Sequence, residues 1–214
     1  MEPTRISAIR HGETAWNVDT RLQGHLDIPL NDVGLRQAQH LAQTLVQRET
    51  IDAIYASDLS RAHSTAQAIA QAMGQSVTVH AGLRERHFGA FQGRTYAQIE
   101  TELPEHAWHW RKRTPDWAPP GGGESLIVLR ERVIQTVEAL AAAHAGQHIV
   151  MVAHGGVLDI LYRAAARLDL QAPRTWALTN TAVNRLLWTP QGLSLVGWGD
   201  TSHLDAVAKD ESSL

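Results

Sequence analysis

Two histidines in this chain stand where an apolar run gives way to glycine. One is in Arg10-His11-Gly12-Glu13-Thr14, with Asn17 close behind; the other is in Val152-Ala153-His154-Gly155-Gly156. Imidazole is a good nucleophile near neutral pH and can attack phosphorus without a metal. Arg10 offers a planar fork suited to a phosphoryl group, and Gly12 lets backbone come close. In Ser57-Asp58-Leu59-Ser60-Arg61-Ala62 an arginine falls at a helix start, where free N–H groups favour an anion. In Leu83-Arg84-Glu85-Arg86-His87-Phe88-Gly89 a carboxylate sits among bases, either as a salt-bridge partner or as a general acid. Each cluster taken singly also has an ordinary structural reading: a hydrogen-bonded turn histidine, a helix cap, a solvated ion pair.

The elements that must position these residues follow from periodicity. Arg5 to Arg10, Asp52 to Ala56, Ser76 to His80 and Gln147 to Ala153 read as strands, the last apolar enough to be buried on both faces. Ala182 to Trp188 and Leu193 to Trp198 read as a further pair joined at Pro190-Gln191-Gly192. Apolar residues at helical spacing mark helices over Asn31 to Arg48, Leu59 to Met73 and Glu124 to Ala143, with another opening after His154. Tyr96 to Trp110 reads as helical pieces broken by Pro104, before a Pro- and Gly-rich loop that ends at Gly123. The alternation predicts an α/β three-layer sandwich with a largely parallel central sheet flanked by helices. Ligands of such sheets bind beyond the carboxyl ends of the strands, so His11 and His154 are expected on one rim.

The chain has 214 residues, 43% of them hydrophobic, which is enough for a full core and argues against disorder. With 19 basic and 22 acidic residues, the formal charge of −3 gives no reason to expect nucleic acid or an anionic membrane as a partner. The absence of cysteine removes disulfides, thiolate metal sites and cysteine nucleophiles. Met1 to Thr4 lacks the basic start of a signal peptide, and no apolar run is long enough to span a membrane, so a cytoplasmic location is expected.

RHGETAWN, SDLSRAHSTA, LRERHFG, the GGES of Gly122 to Ser125 and VAHGG occur in this order. Together they resemble the histidine phosphatase superfamily, which includes cofactor-dependent phosphoglycerate mutase. The similarity runs from about Ile6 to the last strand, and Gly199 to Leu204 resembles the end of bacterial phosphoglycerate-mutase-like phosphatases. The resemblance implies one domain over residues 1–214, with residues 94–123 as a substrate-covering insertion. It implies that His11 is the nucleophile that becomes phosphohistidine, and that Arg10, Arg61 and His154 hold the phosphoryl oxygens. Glu85 would protonate the leaving oxygen and then deprotonate the attacking water. Asn17, Gln23, Gly24, Gly155 and Arg94 would contact substrate. Two arginines and a protonated histidine supply the charge, so no metal is expected; His106 and His109 lack a third ligand and read as surface or packing residues.

Phosphatase and mutase share the phosphohistidine step and differ in the acceptor. True mutases resemble this chain through Glu85 but carry Tyr where Phe88 stands, Lys where Tyr96 aligns, and a longer insertion than the segment Arg94 to Gly123. Trp110 to Pro115 resembles instead the mutase segment whose paired arginines bind a second phosphate, although a solvated basic helix end reads equally well. Trp16, Trp108, Trp110 and Trp117 would form an apolar lid suited to varied organic phosphates, or serve as core. The expectation is a metal-independent phosphomonoesterase acting on a small phosphorylated metabolite without a cofactor. The alternative is a mutase dependent on 2,3-bisphosphoglycerate, and the third reading is a phosphoryl-ligand-binding protein without turnover. Relatives are often dimers, so a homodimer stays open.

Overall fold

The computed structural model describes residues 2–204; the polar run that the sequence carries from Lys209 onward lies outside them. In chain order the elements are β1 (Thr4–Arg10), α1 (Ala15–Val18), α2 (Asp32–Arg48), β2 (Ala53–Ala56), α3 (Ser60–Met73), β3 (Val77–Val79), α4 (Tyr96–Glu102), α5 (Pro104–Arg111), α6 (Leu126–Ala142), β4 (His148–Ala153), α7 (Gly155–Ala166), β5 (Val183–Thr189) and β6 (Gly192–Asp200). Short 3-10 turns at Ala81–Leu83 and Gly89–Phe91 flank the Glu85 loop.

The six strands form one sheet in the order β3-β2-β4-β1-β5-β6. The first four are parallel, and β5 and β6 close one side antiparallel. Side chains alternate across the sheet as its period of two requires. Ile6, Ala8, Ile149, Met151 and Ala153 pack with α6 and α7 on one face. Ile9, Val150 and Val152 pack with α2 and α3 on the other. These are the expected three layers, and β4 is buried throughout because helices cover both its faces.

Local signals set the element ends. Asn31 caps α2 by accepting from the Gly34 N–H at 2.8 Å, and Gly74 ends α3 in the left-handed conformation at φ 65°. Pro104 breaks the Tyr96 to Trp110 segment as expected, and does so by starting α5 at a first-turn position that needs no N–H partner. The four-residue α1 is an addition to the sequence reading. Its Thr14/Asn17 capping box holds it, while it buries no residue and so shows no apolar period.

Strand register brings the two histidine segments together. Arg10 pairs with Ala153, so β1 and β4 end level, and the His11 N–H donates to the Ala153 carbonyl at 3.0 Å. Ser57 continues β2 on the other side of β4, its N–H 3.0 Å from the Val152 carbonyl. Because β4 lies between β1 and β2, the connections from β1 and β4 leave over opposite faces. The rim above them is the switch point at which such sheets bind ligands.

Candidate active site

At this rim opens a cavity of about 920 Å³. Arg10, His11, Asn17, Gln23, Gly24, Arg61, Glu85 and Gly155 line it, and His154 lies against the His11 ring with centroids 5.2 Å apart. The sequence-predicted residues therefore meet, with one correction. Arg94 does not line the cavity: its guanidinium donates to the Ala90 carbonyl and pairs with Glu102 at 2.7 Å. It is consumed in joining the Gly89–Phe91 turn to α4.

His11 Nδ1 lies 2.7 Å from the Gly12 carbonyl oxygen. A carbonyl only accepts, so Nδ1 carries the proton and Nε2 keeps its lone pair. Gly12 does not expose its backbone to the cavity as its type suggests. A Cβ there would meet the Gly34 carbonyl oxygen at 2.5 Å, so this glycine lets the His11 loop pack on the first turn of α2.

Arg61 is fully buried on α3 and donates to the carbonyls of Leu26 at 2.9 Å and Gly24 at 2.7 Å. Arg10 donates to the Leu178 carbonyl. These bonds aim the two guanidinia and leave each Nε buried without a protein partner. Both ring nitrogens of His154 are likewise buried and unpartnered. Unsatisfied buried polar groups are costly, and these nitrogens, with His154 against the His11 ring, suit the oxygens of a tetrahedral anion. Asn17 Oδ1 accepts the Thr14 N–H at 3.0 Å, which turns its amide N–H group away as a further donor.

Glu85 caps the start of α7. Its carboxylate accepts the Gly156 N–H at 3.0 and 3.1 Å and the Arg86 N–H at 2.7 Å. The sequence reading missed several neighbours. Asn180 donates to the His11 carbonyl at 2.8 Å, and His25 donates to the Glu85 carbonyl at 2.8 Å. Arg21, Arg86 and Arg174 line the cavity, Arg86 beneath the Trp110 ring. Burial lowers the Arg86 pKa to about 10 and leaves its Nη2 without a partner.

Of the four tryptophans expected in a lid, Trp16, Trp110 and Trp117 line the cavity, whereas Trp108 is half exposed on the far side of α5. Trp110 and Trp117 pack with Phe88, Phe91 and Ile99 in a small core of their own. His109 stacks on Trp117 and His106 packs against the same ring, so of the surface and packing roles open to them both take the packing one. Among the described residues, no group of three or more His, Cys, Asp or Glu side chains could hold a metal ion. Nor is any helix there long and apolar enough to cross a membrane.

Burial holds the pKa of both His11 and His154 well below the ordinary 6.5, with Arg10 and Arg61 pushing the same way. His154 is thus neutral in the open cavity rather than charged; a bound dianion is what would charge it. Two consequences follow. The unfolded chain protonates these imidazoles below about pH 6.5 while the native chain resists. Their contribution to stability is therefore complete above that pH and lost as pH falls toward the native values. Binding of tungstate, a tetrahedral dianion, at pH 7 should draw protons onto the histidines. Calorimetry in buffers of different ionisation enthalpy should show proton uptake, and buffer-independent heats would contradict it.

A buried neutral histidine among arginines, with a carboxylate on a helix start nearby, is an arrangement suited to phosphoryl transfer. Residues 6–201 match the histidine phosphatase superfamily (branch 1), and the chain belongs to that superfamily. It is 40% identical to phosphoglycerate mutase-like protein 4 of Arabidopsis thaliana, over 96% of this chain and 89% of that one. It is 37% identical to a metal-independent phosphoserine phosphatase of the same plant, over 96% and 85%. Its fold superposes on a mycobacterial glucosyl-3-phosphoglycerate phosphatase with a TM-score of 0.81 at 31% identity, covering 94% of this chain and all of that one.

Proposed function

We propose that this protein is a phosphomonoesterase that hydrolyses small organic phosphates through a phosphohistidine at His11. The observation that carries this is the Nδ1–H bond to Gly12, which commits Nε2 to the cavity as an unprotonated nucleophile. Nε2 attacks phosphorus while Arg10, Arg61 and His154 hold the nonbridging oxygens. The bond to the ester oxygen breaks, and Glu85 gives that oxygen its proton. Glu85 then takes a proton from water, whose oxygen displaces His11 and releases phosphate.

The rest of the cavity suits an ester carrying a second anionic group. Seven arginines line it, against the carboxylates Glu85 and Asp159, and Arg86 keeps its Nη2 without a protein partner. Residues 94–123 supply Tyr96, His109, Trp110, Arg111, Arg113, Thr114 and Trp117 to the wall, so this segment covers the substrate and selects it. Phosphatase is favoured over mutase because the mutase-like arginines are already engaged. Arg111 pairs with Glu100 at 2.8 Å, and Arg113 with Asp159 at 2.7 Å.

The test is an assay in EDTA across a panel of phosphomonoesters that includes 3-phosphoglycerate. Free phosphate and 2-phosphoglycerate are followed with and without 2,3-bisphosphoglycerate. Phosphate release from several esters is expected; bisphosphoglycerate-dependent isomer formation outpacing it would make the protein a mutase.

Gly156 gives a sharper check on Glu85. A Cβ at Gly156 would lie 2.2 Å from Glu85 Oε1. Gly156→Ala should leave the fold intact, because only the end of a flexible side chain must move. It should cost about 10- to 100-fold in kcat for alkyl phosphates through the displaced acid. Unchanged kcat would show that the carboxylate need not sit on that N–H.

A further inference from the structure

Glu85 lies on a loop between two short 3-10 turns, a weak platform for a group that must meet a leaving oxygen within a fraction of an ångström. What fixes the loop is a side chain outside the cavity. Arg132, on α6, forms a two-pronged pair with Glu124, Nε to Oε1 and Nη2 to Oε2, both at 2.8 Å. Its remaining N–H groups go to the loop. Nη1 donates to the carbonyls of Gly82 at 2.9 Å and Arg84 at 3.0 Å, and Nη2 to that of Glu85 at 3.3 Å. All five guanidinium N–H groups are thereby used.

Glu124 holds the other side of the same loop. Its N–H donates to the His87 carbonyl at 2.8 Å, and its own carbonyl accepts from Arg86 Nε at 2.7 Å. Neither Arg132 nor Glu124 lines the cavity. The Glu85 backbone is thus gripped from behind by Arg132 and His25, while its carboxylate is held in front by Arg86 and Gly156.

We infer that the Arg132–Glu124 pair is the positioning device for the Glu85 carboxylate, setting how well it protonates the leaving group without contributing to phosphoryl binding. This rests on the reading of Glu85 as the acid. Lysine at 132 keeps the charge but has no planar fork, and glutamine at 124 keeps the shape but loses one acceptor.

The test compares Arg132→Lys and Glu124→Gln with the unsubstituted protein on an alkyl phosphate and on p-nitrophenyl phosphate. The alkyl ester has a poor leaving group that needs a proton, and p-nitrophenolate does not. Measured in the first turnover, before water attack, either variant should lose about 10- to 100-fold in the rate of leaving-group release from the alkyl ester and less than about 3-fold from p-nitrophenyl phosphate, with tungstate affinity unchanged. In the Glu85→Gln background, Arg132→Lys should cost nothing further on the alkyl ester, because the group it positions is gone. Equal loss on both esters, weakened tungstate binding, or additive loss in the double variant would reduce the pair to general structural support. If one variant fails to fold, the other carries the comparison. Failure of Glu85→Gln itself to discriminate between the esters would overturn the acid assignment instead, and the two failures are told apart by that arm.

Discussion

Replacing His11 with alanine should abolish turnover of every phosphate ester, by on the order of 10⁴-fold or more, while the protein folds as before. The ring is buried and makes one side-chain hydrogen bond, to the neighbouring Gly12 carbonyl, so its removal orphans little. It also removes an imidazole that must stay neutral against burial and two guanidinia, which limits any loss of stability. Arg10, Arg61 and His154 remain, so tungstate should still bind. The measurements are kcat on p-nitrophenyl phosphate, where no acid assistance is needed, and tungstate affinity by calorimetry. Retained turnover of more than a few per cent would remove His11 as the nucleophile.

Replacing Glu85 with glutamine should cost about 10² to 10⁴ in the first-turnover rate of leaving-group release from alkyl phosphates and far less from p-nitrophenyl phosphate. The amide preserves the volume between the N–H groups of Arg86 and Gly156 but cannot give a proton to the leaving oxygen. The second step also slows, because water loses its base. With p-nitrophenyl phosphate the phosphohistidine should therefore form quickly and persist, giving a burst of p-nitrophenolate. Equal losses on good and poor leaving groups, without a burst, would point to a structural role for Glu85.

These expectations rest on residues that the sequence itself made conspicuous. Arg10, His11, Arg61, Glu85 and His154 lie at element boundaries, where strand runs end and helices begin. A parallel sheet brings such boundaries to one rim, so knowing the fold was enough to gather them. The core helices were equally plain from their apolar spacing. What stayed hidden depends on segments without a period. Arg94 and Arg86 have the same side chain, yet one turns outward to Glu102 and the other inward beneath Trp110. Only the packing of the Phe88, Phe91 and Trp110 core decides which. Asn180 and Arg174 sit in the irregular stretch before β5, which reaches the cavity because β5 runs antiparallel beside β1. Arg113, in a segment that reads equally as a phosphate-binding pair or a solvated basic helix end, is tied to Asp159 across 46 positions, a contact that no local pattern announces.

The central claim is that a phosphoryl group passes through His11, and the direct measurement is to trap it. The protein would be mixed in EDTA with a ³²P-labelled phosphomonoester and quenched within the first turnover. The label should appear in an acid-labile, alkali-stable bond on the peptide that carries His11, and should be absent from His11→Ala. With labelled p-nitrophenyl phosphate, which needs no acid, it should accumulate further in Glu85→Gln, where water attack is slowed. Turnover in EDTA with no label on protein, or with label on another residue, would contradict the account.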